Sequence, residues 1–196
     1  FADPSSMEVN AENLLNEDYL QQRSQIIDLS KAQMMGHGVP KPSGTVYLTA
    51  ADQNGMMVSY IQSNRMGFGS GIVVPETGIS LQNRAVDFNL KEVHPNKVGG
   101  GKRPFHTIIP AFLMKDGQPE MSFGVMGGPM QAQGHVQLML RMFVYGQNPQ
   151  AAADGPRWQV LEGRNVAIEE DFSTDVLSQL EARGHQLHRK PRQPFF

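Results

Sequence analysis

Ser43-Gly44-Thr45-Val46-Tyr47-Leu48-Thr49-Ala50-Ala51-Asp52 is the stretch on which the reading of this chain turns. Ahead of it runs Gly36-His37-Gly38-Val39-Pro40-Lys41-Pro42, too rich in glycine and proline for a regular element. Then β-branched and aromatic residues begin abruptly, as a strand does. Nothing in a strand requires a threonine directly after such a leader. If the chain is cut before Thr45, however, the new α-amine lies beside the threonine's own hydroxyl and can act as its base. Local sequence leaves both readings open, a loop-to-strand junction and a masked nucleophile.

Composition narrows the classes. A chain of 196 residues can bury a real core, and its formal net charge of −2 gives no footprint for nucleic acid or an anionic membrane. Zero cysteines remove disulfides, thiolate nucleophiles and Cys-ligated metals, but leave the compartment open between cytoplasm, periplasm and secretion. No apolar run approaches the roughly 20 residues that span a bilayer. The start on Phe1 and the apolar end Pro194-Phe195-Phe196 lead us to expect a fragment, with any targeting segment missing from it.

Outward from the opening stretch, periodicity and turn residues predict a helix over 1–35, which Asn16 can cap and in which Tyr19, Leu20, Ile26 and Ile27 share a face. Strands are predicted at 45–51 and 56–64 around Asn54-Gly55, and short ones at 72–74 and 79–81 around Pro75-Glu76-Thr77-Gly78. Residues 83–104 form a long irregular stretch, the kind of loop that usually carries function. A second hairpin is expected from 107–114 and 121–126. A helix over 130–145 follows, with Val136, Met139, Leu140 and Phe143 on one apolar face. Asn148-Pro149 opens a short helix to about 154, 166–168 form a strand, and Ser173 caps a helix that Gly184 ends. This order suggests α+β, helices covering antiparallel sheets.

Each candidate for chemistry has a bland counterpart. Ser63 falls opposite Thr45 if the hairpin closes at 53–54, so the two hydroxyls can meet across the pair. Gly127-Gly128, between a strand and a helix, is either a tight turn or two open amides suited to an oxyanion. The Gly-x-Gly-x-x-Gly dinucleotide spacing is not met there. The six histidines, at 37, 94, 106, 135, 185 and 188, lack His-x-x-x-His spacing, so neither a metal nor another cofactor is expected. His106, after Lys102-Arg103-Pro104 at the expected mouth of a strand, is the one held back. The twelve methionines read as core filler, Trp158 as packing, and His188-Arg189-Lys190-Pro191-Arg192 as a solvated connector.

Taken in order, Thr45 to Asp52, Phe68-Gly69-Ser70-Gly71-Ile72-Val73-Val74, Asp87-Phe88, Lys102-Arg103-Pro104, Gly127-Gly128 and Ala153-Asp154-Gly155-Pro156-Arg157 closely resemble the γ-glutamyltranspeptidase family of N-terminal-nucleophile hydrolases. The resemblance implies a four-layer αββα sandwich. It makes residues 1–44 the end of a large chain with its linker, and 45–196 the catalytic small chain without its last strands, the two joining as a processed heterodimer. It implies self-cleavage at Gly44-Thr45, with Thr45 as nucleophile, Ser63 bonded to it and Gly127 and Gly128 as the oxyanion pair. In the acyl pocket it places Asp87 on the substrate's α-amino group, and His106 and Thr107 where a Ser-Ser pair binds the α-carboxylate. Arg84 stands where Gln or Glu is usual, and Arg65 where Asn is usual, with Asn64 one place off. The implied reaction is cleavage of γ-glutamyl amides of the glutathione type, with transfer to water or an amine. The arginines suggest a more acidic acyl chain, and a glutaryl- or cephalosporin-type acylase is the alternative. A non-processing, non-catalytic relative is the other.

Overall fold

The computed structural model describes residues 4–6, 12, 15–25, 27–32 and 45–191. The linker and Gly44 lie outside them. The chain forms two compact units, Phe1–Leu29 with Asn64–Thr107, and Ser30–Ser63 with Ile108–Phe196. No helix among the described residues is long and apolar enough to cross a membrane.

In the second unit, β1 (Val46–Ala51) pairs antiparallel with β2 (Met57–Gln62), with Val46 opposite Gln62. The connection differs from the expected two-residue turn. Asp52 N–H donates to Met56 O at 2.9 Å, leaving a three-residue loop in which Gly55, at φ 83°, supplies the left-handed position. The Asp52 carboxylate holds this loop by accepting from the Asn54 and Met56 amides, each at 2.9 Å. The second hairpin, β3 (Ala111–Lys115) and β4 (Gln118–Phe123), is tighter than predicted: Gln118 and Pro119 belong to the strand, and Asp116-Gly117 alone make the turn at φ 50° and 75°. His106 therefore stands five residues ahead of its strand rather than at its mouth.

Hydroxyls join the two hairpins. Thr49 Oγ1 bonds to Ser122 Oγ, Tyr47 OH to Ser59 Oγ at 2.9 Å, and Ser59 Oγ donates to Phe123 O at 3.4 Å. Beyond β4 the chain passes so close to Tyr47 that a Cβ on Gly124 would lie 2.5 Å from the ring.

The third sheet orders β5 (Trp158–Val160), β6 (Asn165–Glu169) and β7 (Gln186–Lys190), with β6 central, antiparallel to β5 and parallel to β7. The parallel pair needs a crossover, supplied by a helix, Thr174–Ala182, capped by Ser173 Oγ and stopped by Gly184 at φ 95°. Ala167 and Ile168 are wholly buried, as a central strand covered on both faces requires. His188 to Lys190 are thus strand residues, not part of a connector.

The helix Met130–Met139, called α2 below, ends in a π turn, Leu140–Val144. Its apolar stripe faces outward, against expectation: Val136 and Phe143 are about half exposed, whereas Gln131 and Gln137 are buried. The reason is the open edge of β5. Gln137 donates to Trp158 O at 2.9 Å and accepts from Trp158 N–H at 3.1 Å. Gln133, one turn earlier, does the same with Val160 at 3.1 and 2.8 Å. Two side-chain amides on one helix face thereby pair the edge as a neighbouring strand would. Gln137→Ala leaves a half-buried peptide unit without its partners and should cost about 2 kcal/mol in chemical denaturation, with little change in the slope.

In the first unit the expected long helix is cut short. Among the described residues, Pro4–Ser6 form a 3-10 turn, Glu12 is helical, and Glu17–Ser24 form a helix (α1) whose cap, Asn16, accepts from Tyr19 N–H at 3.0 Å. Residues 27–32 are not helical, and α1 buries no residue; Tyr19, Leu20 and Ile27 are all exposed and add no packing to hold a longer helix. Ile26 lies outside the described residues. The two short strands reduce to one antiparallel bridge, Val73 to Ser80.

Candidate functional site

Two sets of residues carry potential chemistry, one in each unit. In the second unit, β1 and β2 run in a register that sets Thr45 opposite Ser63, and Thr45 Oγ1 donates to Ser63 Oγ at 3.1 Å. A threonine hydroxyl is a weak nucleophile, and a fixed hydrogen bond orients it without making it basic. A base for it would have to come from elsewhere.

Gly127 and Gly128 follow β4 and open the turn into α2, at φ 133° and 61°. Their carbonyls are used: Gly127 O accepts from Met130 N–H at 3.2 Å, and Gly128 O from the Gln131 amide and side chain, both at 3.0 Å. Neither N–H has an acceptor among the described residues, although Gly128 is buried. Unpaired buried amides are rare, and that of Gly128, next to the open amide of Gly127 at a left-handed turn, suits negative charge. The turn reading and the oxyanion reading are therefore compatible.

In the first unit the irregular stretch organises itself around Asp87. A 3-10 turn, Arg84–Asp87, presents both its end residues inward. Arg65 clamps the carboxylate in a fork, Nε to Oδ2 and Nη2 to Oδ1, each 2.6 Å. Its backbone sits at φ 79°, unusual for a residue with a Cβ. Arg84 Nη1 is 3.8 Å from Asp87 Oδ2 and donates to Thr107 Oγ1 at 3.3 Å. Arg65, Arg84 and Thr107 are each at most 9% exposed, so this is an interior cluster.

Among the described residues, two guanidinium groups face the Asp87 carboxylate. The bond to Asp87 raises the Arg65 pKa; burial, with Arg65 nearby, lowers that of Arg84. His106, next to Thr107, is pushed below its usual value by burial and then by Arg84, with Asp87 opposing. Asn64 contributes its carbonyl, which accepts from Asn83 N–H at 3.1 Å.

Asn96 escaped sequence reasoning. It is buried, donates to Asp87 O at 2.6 Å and accepts from Phe105 N–H at 2.9 Å, so it ties the turn to the segment leading to His106. Nothing in His94-Pro95-Asn96 distinguishes it from any loop asparagine. No group of three or more metal-ligating side chains occurs among the described residues. His37 lies outside them.

An oriented hydroxyl at a strand mouth and an unfilled pair of glycine amides are groups of the kind that acyl transfer uses. The family model described as Gamma-glutamyltranspeptidase matches residues 1–195. The chain belongs to the γ-glutamyltranspeptidase family. It is 34% identical over 93% of its length to the glutathione hydrolase-like YwrD proenzyme of Bacillus subtilis, and 35% identical over 94% to the oxamate amidohydrolase proenzyme of Klebsiella pneumoniae. It spans 35% and 36% of those relatives, about a third of their length. The crystal structure of cephalosporin acylase from Bacillus halodurans superposes with a TM-score of 0.88 at 48% identity, covering 97% of this chain and 35% of that one. The family's mixed helix-and-sheet fold is thus present, and its members are hydrolases.

Proposed function

We propose that this chain is the catalytic portion of a self-processing amidohydrolase in which Thr45, released by cleavage of the Gly44-Thr45 bond, is the nucleophile. The observation that carries this reading is the Thr45–Ser63 hydroxyl pair on one strand mouth, together with the unpaired amides of Gly127 and Gly128. The α-amine, which titrates near ~8, takes the hydroxyl proton as Thr45 Oγ1 attacks the amide carbonyl. The carbonyl oxygen becomes an oxyanion held by the two glycine N–H groups, each worth about 3–4 kcal/mol when correctly placed. Collapse breaks the C–N bond, and the α-ammonium returns the proton to the leaving amine. Water, activated by the same amine, then attacks the acyl-threonine ester and releases the acid; an acceptor amine would give transfer instead.

The proposal includes the four-layer αββα arrangement, residues 1–44 as the end of a large chain, 45–196 as part of the small one, and their association after cleavage. Support comes from relatives that carry the name proenzyme. The substrate class is a small acyl amide. Its γ-glutamyl form follows from the family; its acylase form is favoured by the similarity to the cephalosporin acylase and the oxamate amidohydrolase. Intact-mass analysis of the full-length protein should reveal two chains separating before Thr45. A chain that stays whole and releases no aniline from γ-glutamyl or glutaryl anilides would establish the non-catalytic reading instead.

A further inference from the structure

Asp87 is the carboxylate expected to hold a substrate ammonium, yet both its oxygens already carry Arg65. The fork is bidentate at 2.6 Å on each arm, the geometry in which guanidinium and carboxylate match best. Asn96 donates to the Asp87 backbone carbonyl at 2.6 Å and so fixes the turn that presents the carboxylate. An entering ammonium would have to displace a cation that is part of the chain, and would meet a second one, Arg84, 3.8 Å from the same carboxylate.

Arg84 is the complement of this closed pair. It is 5% exposed, and of its side-chain nitrogens only Nη1 contacts other groups among the described residues, namely Thr107 Oγ1 and, more distantly, Asp87. Nε and Nη2 have no acceptor there. A largely buried guanidinium with donors to spare suits an oxyanion.

We propose that Arg65 fills the ammonium position of the acyl pocket and that Arg84 with Thr107 binds a carboxylate, so that the site selects a dicarboxylic acyl chain without an α-amino group. Arg65 is the lock on Asp87 and Arg84 the reader of the distal carboxylate. The inference rests on the amidohydrolase reading above and names the acyl group of that reaction.

Calorimetric titration of the full-length protein, in whichever form it is isolated, with the free acids tests it apart from turnover. Glutarate should bind about tenfold or more tighter than L-glutamate, which carries the extra ammonium, and butyrate, which lacks the second carboxylate, should bind as weakly as L-glutamate. Arg84→Gln should remove the advantage of glutarate over butyrate. Arg65→Asn should open Asp87, narrowing or reversing the ratio of glutarate to L-glutamate. The wild-type ratios need no variant, so they decide even if a substitution disturbs folding. L-Glutamate binding as tightly as glutarate, or a ratio unmoved in a folded Arg65→Asn protein, overturns the inference. A protein that cleaves itself and prefers γ-glutamyl over glutaryl anilide overturns it while leaving the amidohydrolase reading intact. One that prefers glutarate but neither cleaves itself nor turns over any anilide sinks the catalytic reading instead.

Discussion

Thr45→Ala is expected to leave the full-length protein as one chain and to lower amide hydrolysis by about a thousandfold or more, the scale on which removal of a covalent nucleophile acts. The methyl side chain has no oxygen to attack its own preceding carbonyl, and none to accept an acyl group afterwards. Thr45→Ser keeps the oxygen and should both cleave and turn over, more slowly, because loss of the β-methyl frees the χ1 rotation that the threonine restricts. Ser63→Ala should be milder. It deletes the acceptor of the 3.1 Å bond from Thr45 Oγ1, a loss of about tenfold in rate through orientation. Intact mass and anilide hydrolysis read all three. An alanine variant that still separates into two chains would remove Thr45 from its role.

Arg157→Ala should give the largest loss of stability among the ion-pair variants. Glu169, at the end of the central strand β6, is wholly buried. It accepts from the Arg157 backbone N–H at 2.7 Å and from side-chain Nε at 3.1 Å and Nη2 at 2.5 Å. Removing the guanidinium leaves a carboxylate in the interior with one remaining donor from this residue. Such a loss typically costs 3–5 kcal/mol; because the Arg157 side chain is 31% exposed, water can partly replace it, and about 3 kcal/mol is expected. Arg157→Lys, which restores charge without the fork, should recover part of it. Urea unfolding measures the difference, and a change below about 0.5 kcal/mol would mean that water supports the carboxylate as well as arginine does.

Local rules in the sequence were enough for the caps. Asn16, Asn148 and Ser173 each accept from the amide three residues on, as their positions ahead of helices predict. The Thr45–Ser63 contact was also legible, because a hairpin register is set by a short loop and a period of two. Orientation was not legible in the same way. The stripe Val136, Met139, Leu140 and Phe143 gave the helix but the wrong inner face, since the demand of an unpaired strand edge for hydrogen bonds outweighed burial of that stripe. The N-terminal helix is broken for the opposite reason: Tyr19, Leu20 and Ile27 stay exposed, so their periodicity gains little from burial.

Thr45 at the strand mouth, Ser63 across from it, and Gly127-Gly128 ahead of a helix were all determined by the order of residues along the chain, because each depends on neighbours close in sequence or on a hairpin register. Only the tertiary structure decided what Asp87 holds. Arg65 and Asp87 are separated by an irregular stretch with no period to extrapolate, and a salt bridge is a matter of distance and angle in space. That one fork changes a carboxylate awaiting an ammonium into one already neutralised, and makes Arg84 the charge left to be answered.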